Sequence, residues 1–201
     1  MNEEEKRHQQ RMQKKKALID AKVAKATEER GVLIVLSGPG KGKSSSGFGT
    51  VIRCIGHGYK AAVVQFIKGT WVTGEAEMLR NRFAGECRFF VSGEGFTWDT
   101  QDRDRDIAAA RAAWQVSCEM LTSGDYDLVI LDELNIVLRY EYLSVDEVLA
   151  GLTARDPRTT VVVTGRDAPP ALLEVADLVT EMTNVKHPFD AGIKAARGFD
   201  F

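Results

Sequence analysis

The chain has 201 residues, 44% hydrophobic and 28% charged, with a formal net charge of −2. That length suits one α/β domain with a sizeable core, and the near balance of charge gives no global attraction to nucleic acid or to a membrane surface. No apolar run reaches transmembrane length and the charged N-terminus has no secretory character, while three separated cysteines (Cys54, Cys87, Cys118) read as reduced core thiols of a cytoplasmic protein.

In chain order, residues 1–30 come first as a charged arm. They hold no glycine or proline and are rich in strong helix formers, so a helix is expected that Gly31 would stop. Its few apolar residues, Met12, Leu18, Ile19 and Val23, fit either a solvated arm or one that docks over a ligand site or a second subunit. Residues 31–201 then alternate short apolar runs with helical patterns. The runs are Val32–Leu36, Ala61–Ile67, Arg88–Val91, Leu128–Leu131, Thr160–Thr164 and Leu178–Met182. Continuous apolar runs suit strands covered on both faces. Between them, Ile107, Arg111, Trp114, Cys118 and Leu121 recur at helical spacing. Ser144 and Glu147 have the spacing of a capping box, and Asp167 ahead of two prolines marks another helix start. The alternation predicts a mostly parallel sheet of about six strands with helices on both faces. There are no internal repeats.

Between the first strand and its helix lies "SGPGKGKSS", Ser37–Ser45. Glycines let consecutive backbone N–H groups converge on one point, and a helix N-terminus adds partial positive charge. The pattern is that of a P-loop, with Ser37 in place of the first glycine. Gly38, Pro39, Gly40, Lys41, Gly42, Lys43, Ser44 and Ser45 form the expected phosphate cradle. Lys43 is the expected phosphate lysine, the Ser44 hydroxyl the expected Mg²⁺ ligand, and Lys41 a second positive charge. The strand "YDLVILDE" ends in Asp132 and Glu133, which resembles a Walker-B strand whose acid holds Mg²⁺ or its water. Both motifs fall at strand carboxyl ends, where ligands bind in open α/β sheets. Arg166 follows the fifth strand, within reach of a polyphosphate. The lysine cluster Lys14–Lys16 is balanced by acids of the arm, so nucleic-acid binding is not expected.

A P-loop holds phosphates without fixing which bond breaks. Attack at the γ-phosphorus makes an ATPase or kinase, and attack at ribose C5′ transfers adenosyl; a nucleotide-dependent carrier that turns nothing over is the third reading. The motifs "SGPGKGKSS", "GHGYKAAVVQFIKGTW", "GFTWDTQ", "DLVILDELN", "TGRDAP" and "VKHPFDAGIKA" together resemble the P-loop corrinoid adenosyltransferases, the family that includes the enterobacterial ATP:cob(I)alamin enzyme. The resemblance runs from residue 37 to residue 196, and the arm is similar in character. It implies a P-loop α/β domain, usually a homodimer, that uses Mg²⁺ (or Mn²⁺), ATP and cob(I)alamin or a related corrinoid to make the adenosylated corrinoid and triphosphate. A reduced flavoprotein fits as electron donor. The resemblance also implies an ATP that lies reversed relative to most P-loop proteins, exposing C5′.

Carried over position by position, the resemblance puts Lys43 and its neighbouring amides on the polyphosphate, Ser44 and Glu133 on Mg²⁺ with Asp132 adjacent, and Arg53 on phosphate. Phe96 and Trp98 correspond to the aromatics on the lower face of the corrin. Ser44 stands where threonine is common and keeps the hydroxyl. "TWVTGE" lacks the proline often found after the tryptophan. The chemistry needs no general base, because Co(I) is itself the nucleophile. Phe96 and Trp98 offer cobalt no lone pair and exclude water, which favours reduction of Co(II). His57 reads as a helix-end residue, and His187 as part of an irregular tail whose Lys186, Asp190 and Lys194 reach toward ligand if the tail folds over the site.

Overall fold

The computed structural model describes residues 2–67, 73–92 and 102–200. Its strands are β1 (Leu33–Ser37), β2 (Ala61–Gln65), β3 (Cys87–Val91), β4 (Leu128–Asp132), β5 (Thr160–Thr164) and β6 (Leu178–Glu181). Its helices are α1 (Glu3–Val23), α2 (Lys43–Gly56), α3 (Gly74–Arg82), α4 (Arg103–Thr122), α5 (Leu134–Arg139), α6 (Val145–Thr153) and α7 (Pro170–Val175), with a 3₁₀ turn at Pro188–Ala191. The strands form one sheet in the order β3-β2-β4-β5-β1-β6, and every neighbouring pair is parallel. The expected sheet is therefore present.

Along the sheet the chain first steps from β1 toward β3, then reverses toward β6. Right-handed crossovers place the helices of these two runs on opposite faces. Side-chain alternation agrees. Leu36, Ile130 and Val162 pack with Phe48 and Val51 of α2 and Leu79 of α3. Val35, Leu131 and Val163 pack on the other face with Trp114 and Leu121 of α4, Leu152 of α6 and Leu172 of α7. The interior strands β2 and β4 are buried at every residue, which is why they read as continuous apolar runs.

Several local expectations change. The arm helix starts in a capping box between Asn2 and Glu5 and ends at Val23, eight residues before Gly31, and it buries no residue. At α6 the Ser144 hydroxyl accepts from the Glu147 N–H at 3.1 Å, the cap half of the expected box. Asp167 does not cap α7, whose N-cap is Pro169. It takes a left-handed backbone with φ 56° and accepts from Arg139 Nη1 at 2.8 Å. β6 is exposed along all four residues, because among the described residues no helix covers this edge strand; its apolar content alone suggested cover. His57 is the C-cap of α2, as expected.

Candidate active site

The loop after β1 owes its shape to glycines. Gly42 caps α2 with φ 111°, and Gly38 has φ 98°, a region open to glycine and costly for other residues. Gly40 is needed for space: a Cβ there would lie 2.5 Å from the Thr183 carbonyl oxygen, and its N–H donates to the Met182 carbonyl at 2.6 Å. The loop thus leans on the chain leaving β6. Ser37, standing where the usual motif has glycine, uses its side chain, since Oγ accepts from the Ala168 N–H at 3.1 Å.

Lys43 opens α2 and is buried. Its Nζ donates to the carbonyls of Gly38 at 2.8 Å and Gly40 at 2.6 Å. Burial lowers its pKa, Arg166 lowers it further, and Glu133 and Asp132 oppose the shift. The ammonium therefore lies within the field of both acids at the end of β4. Lys41 points outward and pairs with Asp200 near the C-terminus.

At the end of β4, Asp132 is 1% exposed. Its Oδ1 accepts from Thr164 Oγ1 at 2.7 Å and its Oδ2 from Gln65 Nε2 at 3.0 Å, so three adjacent strands lock it. The Thr164 hydroxyl in turn accepts from the Glu133 N–H at 3.0 Å. Glu133 itself has φ 61°, an uncommon backbone for a non-glycine residue that surrounding bonds must hold. Burial, with Asp132 adding to it, pushes the Glu133 carboxyl up to about 7, against the pull of Lys43 and Arg166. Next to it, Asn135 Nδ2 donates to the Gly165 carbonyl at 2.9 Å.

The donor set suits a hard divalent cation. The Ser44 hydroxyl and the Glu133 carboxylate could offer it oxygens, and a nearby dication would stabilise the ionised form of a carboxyl now held up by burial. Among the described residues no group of three or more His, Cys, Asp or Glu could hold a metal by itself. A cation at Ser44 and Glu133 would need substrate phosphates and water to complete its shell.

Residues 29–201 match the family described as ATP:corrinoid adenosyltransferase BtuR/CobO/CobP. The chain belongs to the ATP:corrinoid adenosyltransferase family. Residues 1–23 match a second description, cob(I)alamin adenosyltransferase N terminal. A corrinoid adenosyltransferase of Pseudomonas aeruginosa is 57% identical over 99% of this chain and 98% of its own length. Proteins of the same name from Sinorhizobium sp and Escherichia coli K12 are 51% and 48% identical; each covers 97% of this chain, and 92% and 98% of their own lengths respectively. In fold, the crystal structure of the flagellar accessory protein FlaH from Methanocaldococcus jannaschii is similar, with a TM-score of 0.51 at 14% identity over 76% of this chain and 71% of that one.

Of the residues singled out for adenosyl transfer, Gly38, Pro39, Gly40, Lys41, Gly42, Lys43, Ser44, Ser45, Asp132, Glu133 and Arg166 gather at the carboxyl ends of β1, β4 and β5. Arg53 does not join them. It is exposed in the last turn of α2, roughly 15 Å along the helix from Lys43 at 1.5 Å per residue. Phe96 and Trp98 lie outside the described residues. Sequence reasoning assigned no role to Gln65, Thr164, Asn135 or Asp200. Gln65 and Asn135 stand inside "QFIKGTW" and "DELN", so their motifs were in view, whereas nothing local marks Asp200.

Proposed function

We propose that this chain transfers the 5′-deoxyadenosyl group of ATP to the Co(I) centre of a corrinoid and releases triphosphate. The observation that carries the reading is a glycine loop between β1 and α2 with Lys43 buried at its mouth and Asp132 and Glu133 at the end of β4, in a chain of the adenosyltransferase family. The Co(I) electron pair attacks C5′. The Co–C5′ bond forms as C5′–O5′ breaks, and the departing pair goes to triphosphate. No proton moves, so no side chain acts as base. Lys43, the amides of Gly38–Ser45 and the N-terminus of α2 hold and neutralise the polyphosphate, with Lys41 and Arg166 adding charge. Lys43 gives up its bonds to the Gly38 and Gly40 carbonyls when phosphate oxygens arrive. The Ser44 hydroxyl and the Glu133 carboxylate hold Mg²⁺ or Mn²⁺, which would screen the charge accumulating on triphosphate. Asp132, already accepting from two side chains, orients that edge of the site.

Phe96 and Trp98 cover the lower corrin face and keep water off cobalt. Alanine at either position slows reaction from Co(II) far more than from pre-reduced Co(I); equal rates from Co(II) in all three proteins refute the role. Arg53 lies roughly 15 Å along α2 from Lys43, so it is assigned no role on the phosphates of its own loop. The chain forms a homodimer, which light scattering reads as twice 22.2 kDa. A reduced flavoprotein supplies the electron, and the compartment is the cytoplasm. All three cysteines are free, which agrees with a reducing setting. No helix among the described residues is long and apolar enough to cross a membrane.

The deciding experiment mixes the purified protein with Mg-ATP and chemically reduced cob(I)alamin, anaerobically and in dim light. Light-sensitive alkylcobalamin with stoichiometric triphosphate is the expected result. ATP cleaved to ADP without alkylation overturns the proposal.

A further inference from the structure

The two lysines of the loop are satisfied in different ways. Lys43 is held by neutral carbonyls of its own loop. Lys41 is held by a full negative charge from the far end of the chain, the Asp200 carboxylate, 159 residues away. That carboxylate is fixed in place. Its Oδ1 takes the Lys41 ammonium. Its Oδ2 accepts from the Ala196 N–H at 2.8 Å, and the Asp200 N–H donates to the Ala196 carbonyl at 2.8 Å. A closed turn therefore presents the acid to the loop. The Asp200 side chain is 13% exposed although its backbone belongs to a terminal tail, and Lys41 and then the Ala196 N–H hold its carboxyl below the usual range, with His187 adding to the effect. On its other side the tail lies near α3, where Gly198 and Phe199 line an open pocket of about 260 Å³ with Gly74, Glu75 and Met78.

We propose that Asp200 is an internal competitor for the polyphosphate: it occupies Lys41 when the loop is empty, must leave when the triphosphate chain binds, and returns as triphosphate departs. The inference rests on reading Gly38–Ser45 as the triphosphate loop. A tethered anion acts at high effective concentration, so a ligand's apparent affinity falls by the fraction of molecules in which the pair is closed. A polyphosphate carries enough charge to displace one carboxylate. A single phosphate, bringing little more charge than the carboxylate it replaces, gains much less. The contact thus lowers the affinity of every ligand that needs Lys41 by the same factor and eases product release.

The test is calorimetric titration of the full-length protein with inorganic tripolyphosphate and with inorganic phosphate. The proteins are wild type, Asp200→Asn, Lys41→Ala and the double variant, plus a chain lacking residues 196–201. A partly exposed pair is worth up to about 1 kcal/mol, so Asp200→Asn and the truncated chain are expected to bind tripolyphosphate about two- to fivefold tighter than wild type. The gain vanishes in the Lys41→Ala background and shrinks with added salt. Equal or weaker binding by Asp200→Asn, or a gain that persists without Lys41, overturns the proposal. Tripolyphosphate that binds none of the five proteins overturns the loop reading as well, which separates the two failures.

Discussion

Gly165 shows how closely single residues constrain the acid side of the site. Its φ of 129° strains any other residue, and a Cβ would lie 2.8 Å from the Asn135 Cβ and 3.3 Å from Glu133 Oε2. Gly165→Ala is expected to cost about 1–3 kcal/mol in urea unfolding. It also moves Glu133, so the same variant shows a raised apparent Kd for Mg-ATP; an unchanged Kd with lowered stability removes Gly165 from the support of the acid. At this scale the sequence was legible where the chemistry is contiguous. Lys43, Ser44, Asp132 and Glu133 declare themselves by neighbours within a few positions. Gln65 and Thr164 do not, because their partnership with Asp132 depends on the register that sets Gln65 beside Asp132 and on β5 lying between β1 and β4. The 159-residue span from Lys41 to Asp200 is hidden for the same reason.

Among the elements, α6 and α4 meet where Gly151 sits on the indole of Trp114. A Cβ at 151 would fall 2.4 Å from Trp114 Cζ2 and 3.3 Å from the Cys118 sulfur. Overpacking of that kind costs about 1–3 kcal/mol, so Gly151→Ala lowers the thermal midpoint while leaving the phosphate loop, which sits at the carboxyl end of β1 and leads into α2 on the other face, and hence nucleotide affinity, unchanged. Nucleotide binding that weakens in step with stability contradicts the separation of the two faces. Helical spacing revealed that Trp114 faces inward, yet it did not disclose the helix that covers it. β6 and Asp167 expose the limit of local patterns in another way. An apolar strand reads alike at the centre and at the edge of a sheet. Asp167 before two prolines has a cap's composition, but Arg139 from the neighbouring connection engages its carboxylate.

Across the whole molecule, one fork fastens the start of the sheet. Arg30 Nη1 and Nη2 donate to Asp177 at 2.9 and 2.5 Å, and Asp177 Oδ2 also accepts from the Leu33 N–H at 2.8 Å. Arg30 and then the Leu33 N–H hold the Asp177 carboxyl down from its ordinary 3.8 to about 2. A carboxyl with a depressed folded-state pKa stabilises above its unfolded value, and that contribution is lost as pH falls through the folded one. The stability difference between wild type and Asp177→Asn is therefore constant above about pH 5 and narrows from pH 4 toward pH 2, as read by chemical denaturation across pH; a difference independent of pH contradicts it. The same fork belongs to a sheet whose first strand waits for its last. Val32 meets Thr160 across 128 residues and Leu33 meets Asp177 across 144. During synthesis at about 5–20 residues per second, the phosphate loop stays without either flanking strand for on the order of ten seconds. ATP in the surrounding solution therefore has no formed cradle to bind while the chain grows, and the nucleotide can stabilise only a nearly finished polypeptide.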